Sequence, residues 1–203
     1  MIRISYNEAG FRSRMQALLA KAENPTAMLL AVGRELSNQL RAHFARKDRE
    51  QPNKLSSRRE HFWLQVRSSV NAPVQTGDNA VSVNVSDPRI AQKVFGGKIV
   101  AKEAGALTIP VSEKAYGRTA STFERETGLK LILIRQGGKK SGSGKAILAA
   151  KVGGGLEVEY LLTKSVDQEP DPTALPDEGF LKEKLIERGQ AVLERQLAAE
   201  GGE

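Results

Sequence analysis

Residues 129–163 read LKLILIRQGGKKSGSGKAILAAKVGGGLEVEYLLT, and the periodicity of this stretch decides the fold class. Leu129–Arg135 is apolar on both alternating sides, which predicts a central strand. Gln136–Lys145 (QGGKKSGSGK) is the flexible tip of a hairpin. Ala146–Val152 and Leu156–Thr163 are the next two strands, joined through Gly153-Gly154-Gly155. In the last strand Leu156, Val158, Tyr160 and Leu162 share one face. Successive strands linked by short turns make an antiparallel meander.

Working back toward the N-terminus, the same texture persists to Ala72. Residues 80–86 (AVSVNVS) alternate, with Val81, Val83 and Val85 on one face. Asp78-Asn79 is a tight turn from a preceding strand at Val74–Thr76. Asp87-Pro88 breaks the run. RIAQKVF is then a short helix that Gly96-Gly97 ends, and Lys98–Ala101 and Ala106–Val111 are two short strands. Ser112–Gly128 is polar with a weak helical element.

Before Ala72 the period is helical. Asn24-Pro25 is an N-cap followed by proline at the first helical position. Met28, Leu29, Val32, Leu36, Leu40 and Phe44 form one apolar stripe, predicting a helix over 25–46. A further helix is expected over 11–21, and a short strand at Ile2–Ile4. Residues 45–59 (ARKDREQPNKLSSRR) read mostly as an exposed connection. Ser57 and Glu60 have capping-box spacing for a helix that buries Phe62, Trp63 and Val66. After the meander, 166–177 (VDQEPDPTALPD) reads as an extended linker. Asp177 then caps a last helix with Leu181, Leu185, Ile186, Val192, Leu193 and Leu197 on its apolar side.

The expected fold is therefore α+β: an antiparallel meander with N-terminal helices and a C-terminal helix packed against it. Residues 1–72, 73–165 and 166–203 are its three segments, together one domain.

Composition sets further bounds. The chain has 203 residues, no cysteine and a net charge of +7. Disulfides and thiolate chemistry are excluded. No apolar run reaches the roughly 20 residues needed to span a bilayer, and MIRISYNEAG lacks the apolar core of a signal peptide, so a protein made in the cytoplasm with no membrane partner is expected. Charge is uneven: residues 1–72 hold 13 basic and 6 acidic residues, 73–165 hold 14 and 8, and 166–203 hold 4 and 10. A basic body with an acidic tail attracts nucleic acid or steers identical subunits together.

Motifs for catalysis are weak. Gly138 and Gly144 enclose five residues where a phosphate-binding loop needs four, and Gly137 and Gly142 enclose four but are followed by Ser143 instead of lysine. His43 and His61 lack ligand spacing, so no metal or cofactor is expected. No G-x-S-x-G elbow is present. The strongest interaction feature is the basic cluster Arg46, Lys47, Arg49, Lys54, Arg58 and Arg59, read either as a solvated loop or as a docking surface for an acidic protein or DNA.

Val94-Phe95-Gly96-Gly97-Lys98-Ile99-Val100-Ala101-Lys102, followed by Ala106-Leu107-Thr108-Ile109-Pro110-Val111, resembles the bacteriophage tail-completion (head–tail joining, virion morphogenesis) proteins. There, a segment ending in Gly-Gly precedes a lysine-bearing strand and a Leu-x-Ile-Pro strand. His61-Phe62-Trp63 before the first strand and Leu161–Val166 before an acidic, proline-rich link fit the same order, so the resemblance covers about residues 25–199. It implies a non-enzymatic structural protein of a phage or prophage, placed at the virion neck or tail. It further implies a homo-oligomeric ring in contact with other tail or connector proteins, with no catalytic residues to carry over. A DNA-binding protein using the basic body is the alternative. Charged segments at 46–59, 136–145 and 166–177 that order on contact would suit a ring subunit.

Overall fold

The computed structural model describes residues 2–5, 25–51, 60–102, 104–135 and 146–200. They gather into two compact units: Met1–Glu50, Phe62–Phe95 and Pro170–Glu203 form the first, and Gln51–His61 with Gly96–Glu169 form the second. The α+β class holds, with a helix near each end of the chain and antiparallel sheets between. The expected single meander is divided into three sheets.

In the first unit, β1 (Ile2–Ser5), β3 (Ala80–Val85) and β2 (Val74–Gly77) lie side by side in that order, all antiparallel. β1 pairs with β3 from Ile2↔Val85 to Ser5↔Ser82. Asp78-Asn79 turns β2 into β3 as the turn chemistry predicts. The helix α1 (Pro25–Glu50) begins at its proline and buries the whole expected stripe. It packs on α2 (Phe62–Ser68), on the β2–β3 hairpin and on the C-terminal helix α5 (Glu178–Glu200). Gly33 makes the approach to the hairpin close. A Cβ there would sit 2.6 Å from Pro73 Cβ and 2.7 Å from Val81 Cγ2.

Met28, Leu36, Leu40, Phe44, Trp63, Val66, Val83, Val85, Leu181 and Leu185 share one core. The Phe44 and Trp63 rings stack at 5.9 Å. Asp177 caps α5 by accepting from Phe180 N–H at 2.8 Å, so the N- and C-terminal helices share a core with the three-stranded sheet. α3 (Arg89–Phe95) closes this unit, and Gly96 ends it with φ 65°.

In the second unit, β5 (Leu107–Pro110), β8 (Gly155–Thr163), β7 (Ala146–Val152) and β6 (Leu131–Arg135) form a four-stranded antiparallel sheet in that order. β4 (Gly97–Val100) pairs with β9 (Ser165–Gln168). Since β9 follows β8 after Lys164, the stretch 155–168 is one long strand path serving both sheets.

The short helix α4 (Ala120–Thr127) covers one side of the four-stranded sheet. Thr119 caps its start, accepting from Thr122 N–H, and Gly128 caps its end at φ 71°. Beneath it Phe123 meets the fully buried Tyr160 edge to face at 5.9 Å.

Several local readings need correction. The connection expected over 45–59 starts later, because α1 runs on to Glu50. β6 is an edge strand, not a central one. Leu156, Val158, Tyr160 and Leu162 do not share a face, because the β7–β8 register shifts between Leu148↔Tyr160 and Ala149↔Val158. Glu159 is the extra residue of this bulge, and a bulge reverses the alternation beyond it. Residues 166–177 are not a free linker. They hold β9, and then a turn that buries Ala174 and Pro176. The expected helix over 11–21, Asn24, Ser57, the loop 136–145 and Gly201-Gly202 lie outside the described residues.

Candidate interaction surfaces

The basic cluster divides. Lys54, Arg58 and Arg59 lie outside the described residues. Arg46 and Arg49 are exposed on the last turns of α1. Lys47 is not a surface residue. It is buried, and its ammonium donates to Asp171 Oδ2 at 2.8 Å, to the Thr173 carbonyl at 2.9 Å and to Thr173 Oγ1 at 2.7 Å. It also lies 4.5 Å from the Trp63 ring centroid.

Helix phase explains the burial. Lys47 follows Leu40 and Phe44 at the spacing of the buried stripe. Burial alone pushes the Asp171 carboxyl up, but Lys47 and the hydroxyl and N–H of Thr173 outweigh it and hold it at about 2. The effect is to pin the turn after β9 onto α1.

His43 serves the same contact. Its Nε2 lies 3.0 Å from the Thr173 carbonyl and its Nδ1 lies 3.1 Å from Arg46 Nη2. Donation from Nε2 leaves Nδ1 as the acceptor for the guanidinium. Burial, then the charges of Arg46 and Lys47, lower its pKa, while the Thr173 carbonyl opposes them. His61 is exposed beside Phe62. Among the described residues no cluster of three or more histidines and carboxylates has the geometry of a metal site, and no helix is long and apolar enough to cross a membrane.

Among the described residues, the four-stranded sheet has one side covered by α4 and one side that α4 leaves bare. Leu148, Ala150 and Tyr160 face α4. Arg118 and Thr119 also lie on that side, their carbonyls 3.2 Å and 3.4 Å from the Tyr160 hydroxyl. Burial and the nearby Glu159 raise the Tyr160 pKa. Glu159 is itself buried; Ser112 Oγ donates to its Oε2, and Oε1 has no partner among the described residues.

The register places Ile132, Ile134, Ile147, Ala149, Leu156, Val158, Leu161 and Ile109 on the other side. Ile132 is 45% exposed, Leu156 56%, Val158 41% and Leu161 39%. At β6, Leu133 is 48% exposed on the covered side as well. Ile109, Ile134 and Ile147 are half-buried on this side and Ala149 is buried. Exposed apolar side chains grouped as Ile132, Leu156, Val158 and Leu161 are mark an interaction surface.

Sequence reasoning missed this surface. The signal was present in LILIR, but a strand apolar on both sides was read as doubly covered. No family model, no curated protein and no solved structure matches this chain.

Proposed function

We propose that the chain is a non-enzymatic building block of a bacteriophage or prophage virion, acting in tail completion or head–tail joining at the neck. Copies assemble into a ring there and meet other tail or connector proteins. The observation that carries the reading is the bare apolar side of the four-stranded sheet, with Leu156, Val158 and Leu161 exposed. Side chains of that size left in water on a rigid sheet are contact surface. The Gly-Gly…Leu-x-Ile-Pro stretch that carries the phage resemblance forms β4 and β5 of the same unit.

Removing the gene from its genome tests the reading by electron microscopy of the resulting particles. Full heads beside unjoined tails are expected. Normal numbers of joined, infectious virions would sink it. A DNA-binding role through the basic body predicts binding that falls steeply with salt and depends on residues 46–59. Loss of DNA binding without loss of joined particles would favour that alternative.

A further inference from the structure

The two edges of the four-stranded sheet differ. β5 ends on Pro110, which has no N–H to offer a further strand and blunts that edge. β6 carries no proline, is apolar on both sides and has β7 as its sole strand neighbour among the described residues. Its outward backbone can be identified. Leu131 N–H donates to Glu124 Oε1 at 2.8 Å, so it points away from β7. Antiparallel alternation then turns the N–H and C=O of Leu133 outward too.

We propose that the chain forms a two-fold dimer in which β6 pairs antiparallel with β6 of a second copy, centred on Leu133. The register follows from the outward groups. Leu133 exchanges both hydrogen bonds with the partner's Leu133. Ile132 stands opposite the partner's Ile134, and Leu131 stands opposite the partner's Arg135. Glu124 keeps the Leu131 N–H, so there the Leu131 carbonyl alone bonds the partner, accepting from the N–H of the partner's Arg135. Faces match under this operator: Ile132 and Ile134 extend the bare side, and Leu133 covers Leu133 on the other.

Charge selects the occupant. Glu124 sits on α4 beside Leu131, with Lys130 Nζ at 3.8 Å from its Oε2. Arg135 is exposed and shares the α4 side with Leu131 and Leu133. The dimer therefore brings the partner's Arg135 to Glu124, twice by symmetry. A strand lacking a cation at this position would add nothing to the Lys130 ammonium and the Leu131 N–H that Glu124 already has. The inference goes beyond the neck reading and does not rest on it. A two-fold contact closes after two copies, whereas a ring needs a head-to-tail contact elsewhere.

Sedimentation of the full chain tests it. The native chain is expected to show a two-copy species, and Leu133→Lys should weaken pairing by at least about tenfold by placing two ammonium groups at the dyad. The circular dichroism of this variant should be unchanged, since the side chain is half exposed. Glu124→Arg and Arg135→Glu should each weaken pairing alone, because each sets like charges face to face. Mixed in equal amounts they should pair again, because both contacts are then opposite in sign.

If Glu124→Arg does not fold, Arg135→Glu alone should be a monomer that regains pairing in high salt, where repulsion is screened. A native chain that stays monomeric at high concentration would overturn the proposal. So would a Leu133→Lys chain that assembles as before, which would leave a ring through the bare side standing. A mixture that remains unpaired while both variants are folded would overturn it as well.

Discussion

Lys47 sits within a run of charged residues and yet lies in the core, held by Asp171 and Thr173. Removing one partner of a buried ion pair leaves the other charge stranded. Asp171→Ala is therefore expected to lower unfolding free energy by about 2–3 kcal/mol, read from denaturant titration. Lys47→Met, which keeps contact with Trp63, should cost less. The pair also sets an acid limit. Asp171 has its pKa lowered from 3.8 to about 2, so its contribution is complete above pH 3.8 and fades as pH falls toward 2. His43 is lowered from 6.5, so its share is complete above pH 6.5 and is lost below it. Native melting temperature should fall in both windows, and Asp171→Ala should flatten the lower one. Half of this contact was legible: the spacing Leu40, Phe44, Lys47 places the lysine on the buried stripe. The other half was not, because Asp171 is 124 residues away and no local pattern couples them.

At the level of elements, what the chain states locally was readable. α1, α2, α3, α4, the β2–β3 hairpin and the Asp177 cap all follow from period, caps and turn residues. The neighbours of a strand are not a local property. LILIR reports two apolar sides, but nothing in it says that, among the described residues, one side is left bare and one edge has no strand beside it. The bulge at Glu159 is equally silent, since LEVEY (156–160) alternates across it without a break. Close approach was also hidden. Gly33 looks like an unfavourable residue inside a helix, yet the Pro73 ring and a Val81 methyl occupy the place of its side chain. Gly33→Ala should destabilise by about 1–2 kcal/mol in spite of alanine's better helix propensity. A stabilised variant in thermal unfolding would contradict the packing.

Over the whole molecule, charge distributes by unit and not by sequence segment. The first unit holds 16 basic and 15 acidic residues, and the second holds 15 and 9. The acidic C-terminal stretch thus neutralises basic residues of its own unit, and nearly all the surplus belongs to the second unit. Replacing Arg46 and Arg49 together with glutamine should therefore change retention on a heparin column little, whereas Lys130, Arg135 and Lys151 replaced together should shorten it.

The ladder at the base of the second unit carries one more implication. Gly97 pairs with Gln168, and in the first unit Asp171 N–H donates to the Lys93 carbonyl at 2.8 Å. The two ends of residues 96–169 are therefore close together, so this stretch, which with Gln51–His61 makes up the second unit, behaves as a cassette. Swapping that cassette for a turn of about four residues should leave a protein of helices and a three-stranded sheet that still melts cooperatively, and a graft of 96–169 between two closely spaced sites of an unrelated host should keep its own shape.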